Sequence, residues 1–246
     1  MKLLSPVHYL NVAKQIYHFV LHPKDHPQTL RTTEKIKGTW TVFAVKMAAA
    51  IILGIALRIF HDPVNQTTTR HSEELSPLEM ILIGVLILPI LEEVAFRLSL
   101  RFKPINLALS TSVFSYYILS KVVCQTRLSD VSDHFKERVF ISIFVFALSY
   151  LCYQLPIVSK ALISFWERNF RWVLYSFCIY FAAAHIFNYE LTLTTILFMP
   201  LIILPKLISA LCYGYIRINY GFVYSITLHL SWNLIGVMIR LMPGED

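Results

Sequence analysis

Hydrophobic residues along this chain are gathered into long blocks separated by short polar stretches. About seven blocks approach the roughly 20 residues that a helix needs to cross a hydrocarbon core. They lie near 39 to 59, 77 to 102, 104 to 122, 139 to 158, 172 to 189, 191 to 213 and 221 to 241. Residues 139 to 159 and 221 to 239 contain no Asp, Glu, Lys or Arg. Only Asn188, Tyr189 and Glu190 mark the turn between the fifth and sixth blocks, so the number of spans falls between six and eight. The pattern predicts an all-α polytopic transmembrane bundle, with residues 39–246 forming one membrane domain and residues 1–38 an N-terminal segment before it.

Composition agrees. Hydrophobic residues make up 56% of the chain and charged residues 15%, against about a quarter charged in soluble domains; mean hydropathy is +0.58. The net charge of +7 comes from bases flanking the blocks, and no basic run interleaved with aromatics points to nucleic acid. Lys2, Lys14, Lys24, Arg31, Lys35 and Lys37 outnumber Asp25 and Glu34, which places the N-terminus in the cytoplasm by the positive-inside rule. The loop 61 to 76, with one Arg and three acids, then lies outside, while Arg101, Lys103, Lys160, Arg168 and Arg171 lie inside. Segment 121 to 138 runs against this assignment, carrying Lys121, Arg127, Lys136 and Arg138, offset by Asp130, Asp133 and Glu137. Pro6, His8 and Asn11 interrupt the first apolar residues, and no small-residue cleavage site follows, so a short interfacial helix is expected there rather than a signal peptide. Cys124, Cys152, Cys178 and Cys212 are scattered, without zinc-site or disulfide spacing, and read as buried free thiols.

Ionisable residues deep in apolar blocks are rare and count as functional candidates. Here they are Lys46, Glu92, Glu93, Arg97, His185, Lys206 and His229. Ser76-Pro77-Leu78-Glu79 forms a capping box that starts the second span, so Glu92 lies about 22 Å along it, past the bilayer centre toward the cytoplasm. Pro89 removes the hydrogen bond to the Val85 carbonyl and predicts an opened helix just before the acids, hence a protein-lined or wet cavity. Adjacent helical residues point about 100° apart, so the two glutamates differ in role. Glu93 shares a face with Arg97 and pairs with it; Glu92, without a local partner, is the candidate general base. Phe181 and His185 share a face, with Ala182, Ala183 and Ala184 between them allowing close helix approach. His229 and Asn233 share a face of the last span. Lys46 is expected to snorkel to the interface, and Lys206, near Pro200 and Pro205, to mark a broken helix end facing the cytoplasm.

Glu-Glu-Val-Ala-Phe-Arg (Glu92 to Arg97), Phe181-Ala-Ala-Ala-His185 and His229-Leu-Ser-Trp-Asn233, in this order on separate apolar blocks, resemble the three motifs of the CPBP (CAAX protease and bacteriocin-processing, or Abi) family of intramembrane proteases. That family includes the eukaryotic CAAX prenyl endopeptidase. The resemblance covers residues 92 to 233 and departs at no motif position. It implies an intramembrane endopeptidase in which Glu92 and His185 activate a water, His229 and Asn233 hold the water or the oxyanion, and Glu93, Arg97 and Phe181 support the site. The compact 246-residue chain, with no organelle signal, is expected as a multi-pass protein of the bacterial inner membrane, its substrate a peptide or membrane protein with or without lipid modification.

Metal use divides on the residues themselves. Glu92, His185 and His229 match the His2Glu set of catalytic zinc sites. Asn233 suits an oxyanion donor better than a zinc ligand, however, and no carboxylate beside either histidine is evident to orient a metal-bound ring. The expectation is therefore a water activated without an obligatory metal, with zinc or another divalent ion as the alternative. The chain has no Gly-x-Ser-x-Gly elbow and no His-Glu-x-x-His. An ion-coupled transporter or a non-enzymatic immunity or scaffold protein of the same fold would also place such residues at depth, although no internal repeat supplies a transporter's two halves.

Overall fold

The computed structural model describes residues 5–25, 29–60, 65–66 and 74–242. Among these every regular element is helical, and the one β-bridge, Asn65 to Tyr189, stands alone. In chain order the helices are α1 (Pro6–Leu21), α2 (Thr32–Phe60), and α3, built of Pro77–Glu79, a π-helical stretch Met80–Ile87 and an α-helical stretch Leu88–Phe96. Then come α4 (Pro104–Ile118), α5 (Phe135–Gln154), α6 (Pro156–Ala184), α7 (Leu193–Leu197), α8 (Met199–Asn219) and α9 (Phe222–Leu241).

Among the described residues four helices are long and apolar enough to cross a membrane: α2, α6 with the 3-10 turn that follows it, α8 and α9. The expected seven spans are not reproduced as seven such helices. The block 139 to 158 is divided between α5 and α6, because Pro156 sits in the first turn of a new helix. The block 191 to 213 is divided at Phe198, ahead of Pro200. The block 77 to 102 stops its α-helix at Phe96 and continues as the 3-10 turn Leu98–Leu100, while α4 ends in a π-helical turn, Leu119–Val123. α6 runs 29 residues, with a kink where Asn169 leaves helical geometry and its side-chain amide donates to the Phe165 carbonyl. α2 starts at Thr32, inside the expected N-terminal segment.

The polarity of the bundle is that of a membrane protein. Phe140, Phe144, Leu148 and Leu151 form an exposed stripe on α5, a liability in water and a favourable surface in lipid. Lys46, Glu93, Arg97, Arg138 and His229 are buried. The core packs α8 against α2, α6 and α9, with α1 attached through Val12, Ile16 and Phe19, the last edge-on to Tyr215.

The two ends of the bundle differ. At the end nearest α1, Tyr175 donates to the Val20 carbonyl, and Arg101 bonds the Ile218 carbonyl while facing Asp25. At the far end Arg127 pairs with Glu74, and the Arg138 guanidinium, 1% exposed, donates to Ser120 Oγ and the carbonyls of Arg127, Asp130 and Asp133. Most of the acidic loop expected at 61 to 76 lies outside the described residues.

Two expectations about single residues are corrected. Lys46 does not snorkel: it is 1% exposed and its Nζ lies 3.1 Å from the centre of the Trp232 ring, a cation–π contact in place of water. The four cysteines are free, but Cys152 is exposed and Cys124 half-buried, because each lies on an outward face.

Candidate functional site

α3 carries the acids. Its first turn is closed by the capping box read from the sequence: Glu79 N–H donates to Ser76 Oγ, and Ser76 N–H to Glu79 Oε2 at 2.8 Å. The helix then widens. In the π-helical register Leu88 N–H reaches the Ile83 carbonyl, five residues back. By that register Pro89 would serve Gly84, and proline has no N–H to give. Asn233 Nδ2 fills the gap, donating to the Gly84 carbonyl at 2.9 Å. The disruption expected at the Val85 carbonyl is thus met one residue earlier, and Asn233 spends one of its two amide hydrogens on the backbone of α3.

Past Pro89 the helix is regular, and the two glutamates diverge as their 100° separation requires. Glu93 is fully buried. Its Oε1 accepts from His229 Nδ1 at 2.9 Å and lies 3.7 Å from Arg97 Nε, while its Oε2 accepts from Ser225 Oγ at 2.5 Å. The Glu93–Arg97 pair read from the sequence is present, within a larger network. Glu93 is also the carboxylate orienting a histidine, which the spacing around His229 did not reveal because it comes from another helix. With Nδ1 directed at Glu93, the other ring nitrogen of His229, Nε2, lies 3.5 Å from Glu92 Oε2. The Glu92 side chain keeps about a fifth of its surface (21%) open.

His185 sits where α6 tightens into a 3-10 turn. Its Nδ1 lies 2.7 Å from the Phe181 carbonyl, which can only accept, so the proton is on Nδ1 and Nε2 is free to accept. The Phe181 ring separates the histidines, 4.7 Å from His185 and 6.1 Å from His229, with the Arg97 guanidinium 3.9 Å from its centre. Tyr213 of α8 stacks on the other face of His229 at 4.5 Å.

All four candidate residues, Glu92, His185, His229 and Asn233, line one cavity of about 220 Å³, together with Phe181 and Tyr213. Lys206 lines it too. The broken helix end expected there does not occur, since α8 continues through Pro205. The lining goes on through Met80, Asn65, Asn188 and Arg240, which belong to the far end of the bundle. The depth of Glu92 on an inward-running helix suggests an opening on the side of the N-terminus, whereas the cavity lining extends toward the other end of the bundle. Ser225 and Tyr213 were not among the residues expected at the site from sequence, and Lys206, an ionisable candidate, was expected at a broken helix end instead. Ser225 had a signal, since Ser225, His229 and Asn233 follow at intervals of four along one face of α9.

Among the described residues no three His, Cys, Asp or Glu side chains are grouped closely enough to hold a metal ion. Glu92, His185 and His229 share the cavity without forming a three-ligand set. No protein-family model, curated protein or solved structure matches the chain.

Proposed function

We propose that this chain is a multi-pass membrane endopeptidase that hydrolyses a peptide bond with a water activated by Glu92, as the resemblance of its three motifs to the CPBP family implies. The observation carrying this reading is the convergence of Glu92, His185, His229 and Asn233, from three helices, on one cavity, with both imidazoles held through Nδ1.

Glu92 takes a proton from water as the water oxygen adds to the scissile carbonyl carbon, and His185 Nε2 orients that water by accepting its other hydrogen. The remaining Asn233 N–H meets the developing oxyanion. When the intermediate collapses, the C–N bond breaks, Glu92 passes its proton to the departing nitrogen, and a carboxylic acid and an amine leave. Glu93 and Arg97 take no proton; they hold His229 and the end of α3. The substrate is a peptide or membrane protein, with or without a lipid. The location is the bacterial inner membrane with the N-terminus in the cytoplasm, which turns the cavity to the outer side.

The test is purified protein in detergent against a peptide library. Cleavage by wild type and its loss in Glu92→Gln, with unchanged membrane insertion, supports the reading; equal cleavage by Glu92→Gln overturns it.

A further inference from the structure

A second cavity, of about 430 Å³, opens at the α1 end of the bundle, between α1 and the last turns of α8. Its lining holds Lys14, Lys24 and the two imidazoles of His18 and His22, with Gln15 beside them and no Asp or Glu. α1 itself contains no acid. Asp25, next to Lys24 in the chain, faces Arg101. Lys14 and Lys24 are exposed and make no hydrogen bond or ion pair among the described residues.

α1 has two apolar faces. Val12, Ile16 and Phe19 pack into the bundle. Val7, Leu10, Tyr17 and Leu21, spaced three, seven and four residues apart, form a second stripe, with Val7, Leu10 and Tyr17 each more than 60% exposed. Lys14 completes that stripe, and His18 and His22 flank it. A helix with one face in protein, one apolar face uncovered and bases at the border between them lies at a bilayer surface.

We infer that this cavity is a binding site for an anionic phospholipid, whose phosphate enters between Lys14, His18, His22 and Lys24 and whose acyl chain lies along Val7, Leu10, Tyr17 and Leu21. The site lies at the opposite end of the bundle from the extension of the Glu92 cavity and does not depend on the proteolytic reading. It ties α1, and through Tyr215 of α8 the core, to a membrane of negative surface charge.

The test is native mass spectrometry of the purified protein offered phosphatidylglycerol or phosphatidylcholine. Phosphatidylglycerol should be retained preferentially, and Lys14→Gln/Lys24→Gln should weaken it roughly 30-fold, the effect of two lysines beside an anionic lipid. Lys136→Gln, at the far end, should leave it unchanged, and Leu10→Ser/Tyr17→Ser should weaken lipid retention. Equal retention of the two lipids, or undiminished retention by the lysine double variant, overturns the site. Inorganic phosphate that competes as well as phosphatidylglycerol, with no effect of Leu10→Ser/Tyr17→Ser, would make it a soluble-phosphate site and overturn the lipid assignment.

Discussion

Glu92 and Glu93 are chemically identical neighbours that the fold treats in opposite ways. Glu92 looks into the cavity with one histidine nitrogen at 3.5 Å, whereas Glu93 is closed off by His229, Ser225 and Arg97. The same substitution should therefore fail differently at the two positions. Glu92→Gln is expected to lower turnover by about 10²- to 10⁴-fold, the usual effect of losing a general base, while leaving thermal unfolding in detergent unchanged. Glu93→Gln strips the counter-charge from a buried Arg97 and should cost about 3 to 5 kcal/mol of stability, with activity falling because His229 is no longer held. A stable but inactive Glu93→Gln protein would show that Glu93 does chemistry rather than support. The motif spacing made the difference between the two acids legible. It could not show which carboxylate meets His229, because that contact joins residues 136 positions apart.

At the scale of elements, α3 and α9 are joined by an exchange of backbone and side chain. Pro89 withholds an N–H, the Gly84 carbonyl is left over, and Asn233 supplies the missing donor. Asn233→Leu should thus destabilise the protein, and less so in a Pro89→Ala background, where the backbone regains its own donor. A double-mutant cycle on thermal unfolding should return a coupling of about 0.5 to 3 kcal/mol, and strict additivity would dissolve the link. Close approach matters at Gly38 of α2, where an added Cβ would fall 2.5 Å from the Tyr220 hydroxyl, so Gly38→Ala should cost about 1 to 3 kcal/mol. The loop between α4 and α5 is held differently. The Ser132 hydroxyl, and then the Ser132 and Asp133 backbone N–H groups, keep the Asp130 carboxyl below the usual carboxylate range. A lowered folded value means that this contribution is present above the ordinary carboxylate range and is lost as pH falls through the lowered one. Amide exchange at 132 and 133, corrected for intrinsic rates, should accelerate on acidification, and Asp130→Asn should abolish the dependence.

For the whole molecule, the proposed orientation puts the N-terminus in the cytoplasm and, since the Glu92 cavity extends away from α1, the cavity on the outer side. Gly236 lines that cavity, and a Cβ there meets nothing within 4 Å. In a background without the native cysteines, Gly236→Cys should react with an impermeant thiol reagent added outside intact cells; reaction only from the cytoplasmic side would reverse the orientation. Hydropathy found the apolar mass and the three site motifs, since depth and spacing are local properties of the chain. It misplaced breaks where proline decides them, as at Pro156, and it could not see that Lys46 and Lys206 turn inward, because helix rotation follows from packing against neighbours. One consequence reaches past hydrolysis. The cavity reaches from the far end of the bundle to Glu92, and none of its lining residues belongs to the α1 end; beyond Glu92 stand Phe96 and the buried Glu93, Arg97 and Ser225, with His229 and Tyr213 at the boundary. In electrical terms such a cavity, placed in a membrane that carries a proton gradient as proposed, would be a dead-end conduit, open partway while the rest of the septum insulates. Wild type in a planar bilayer should pass no current, and Arg97→Ala, which hollows the plug, should leak protons.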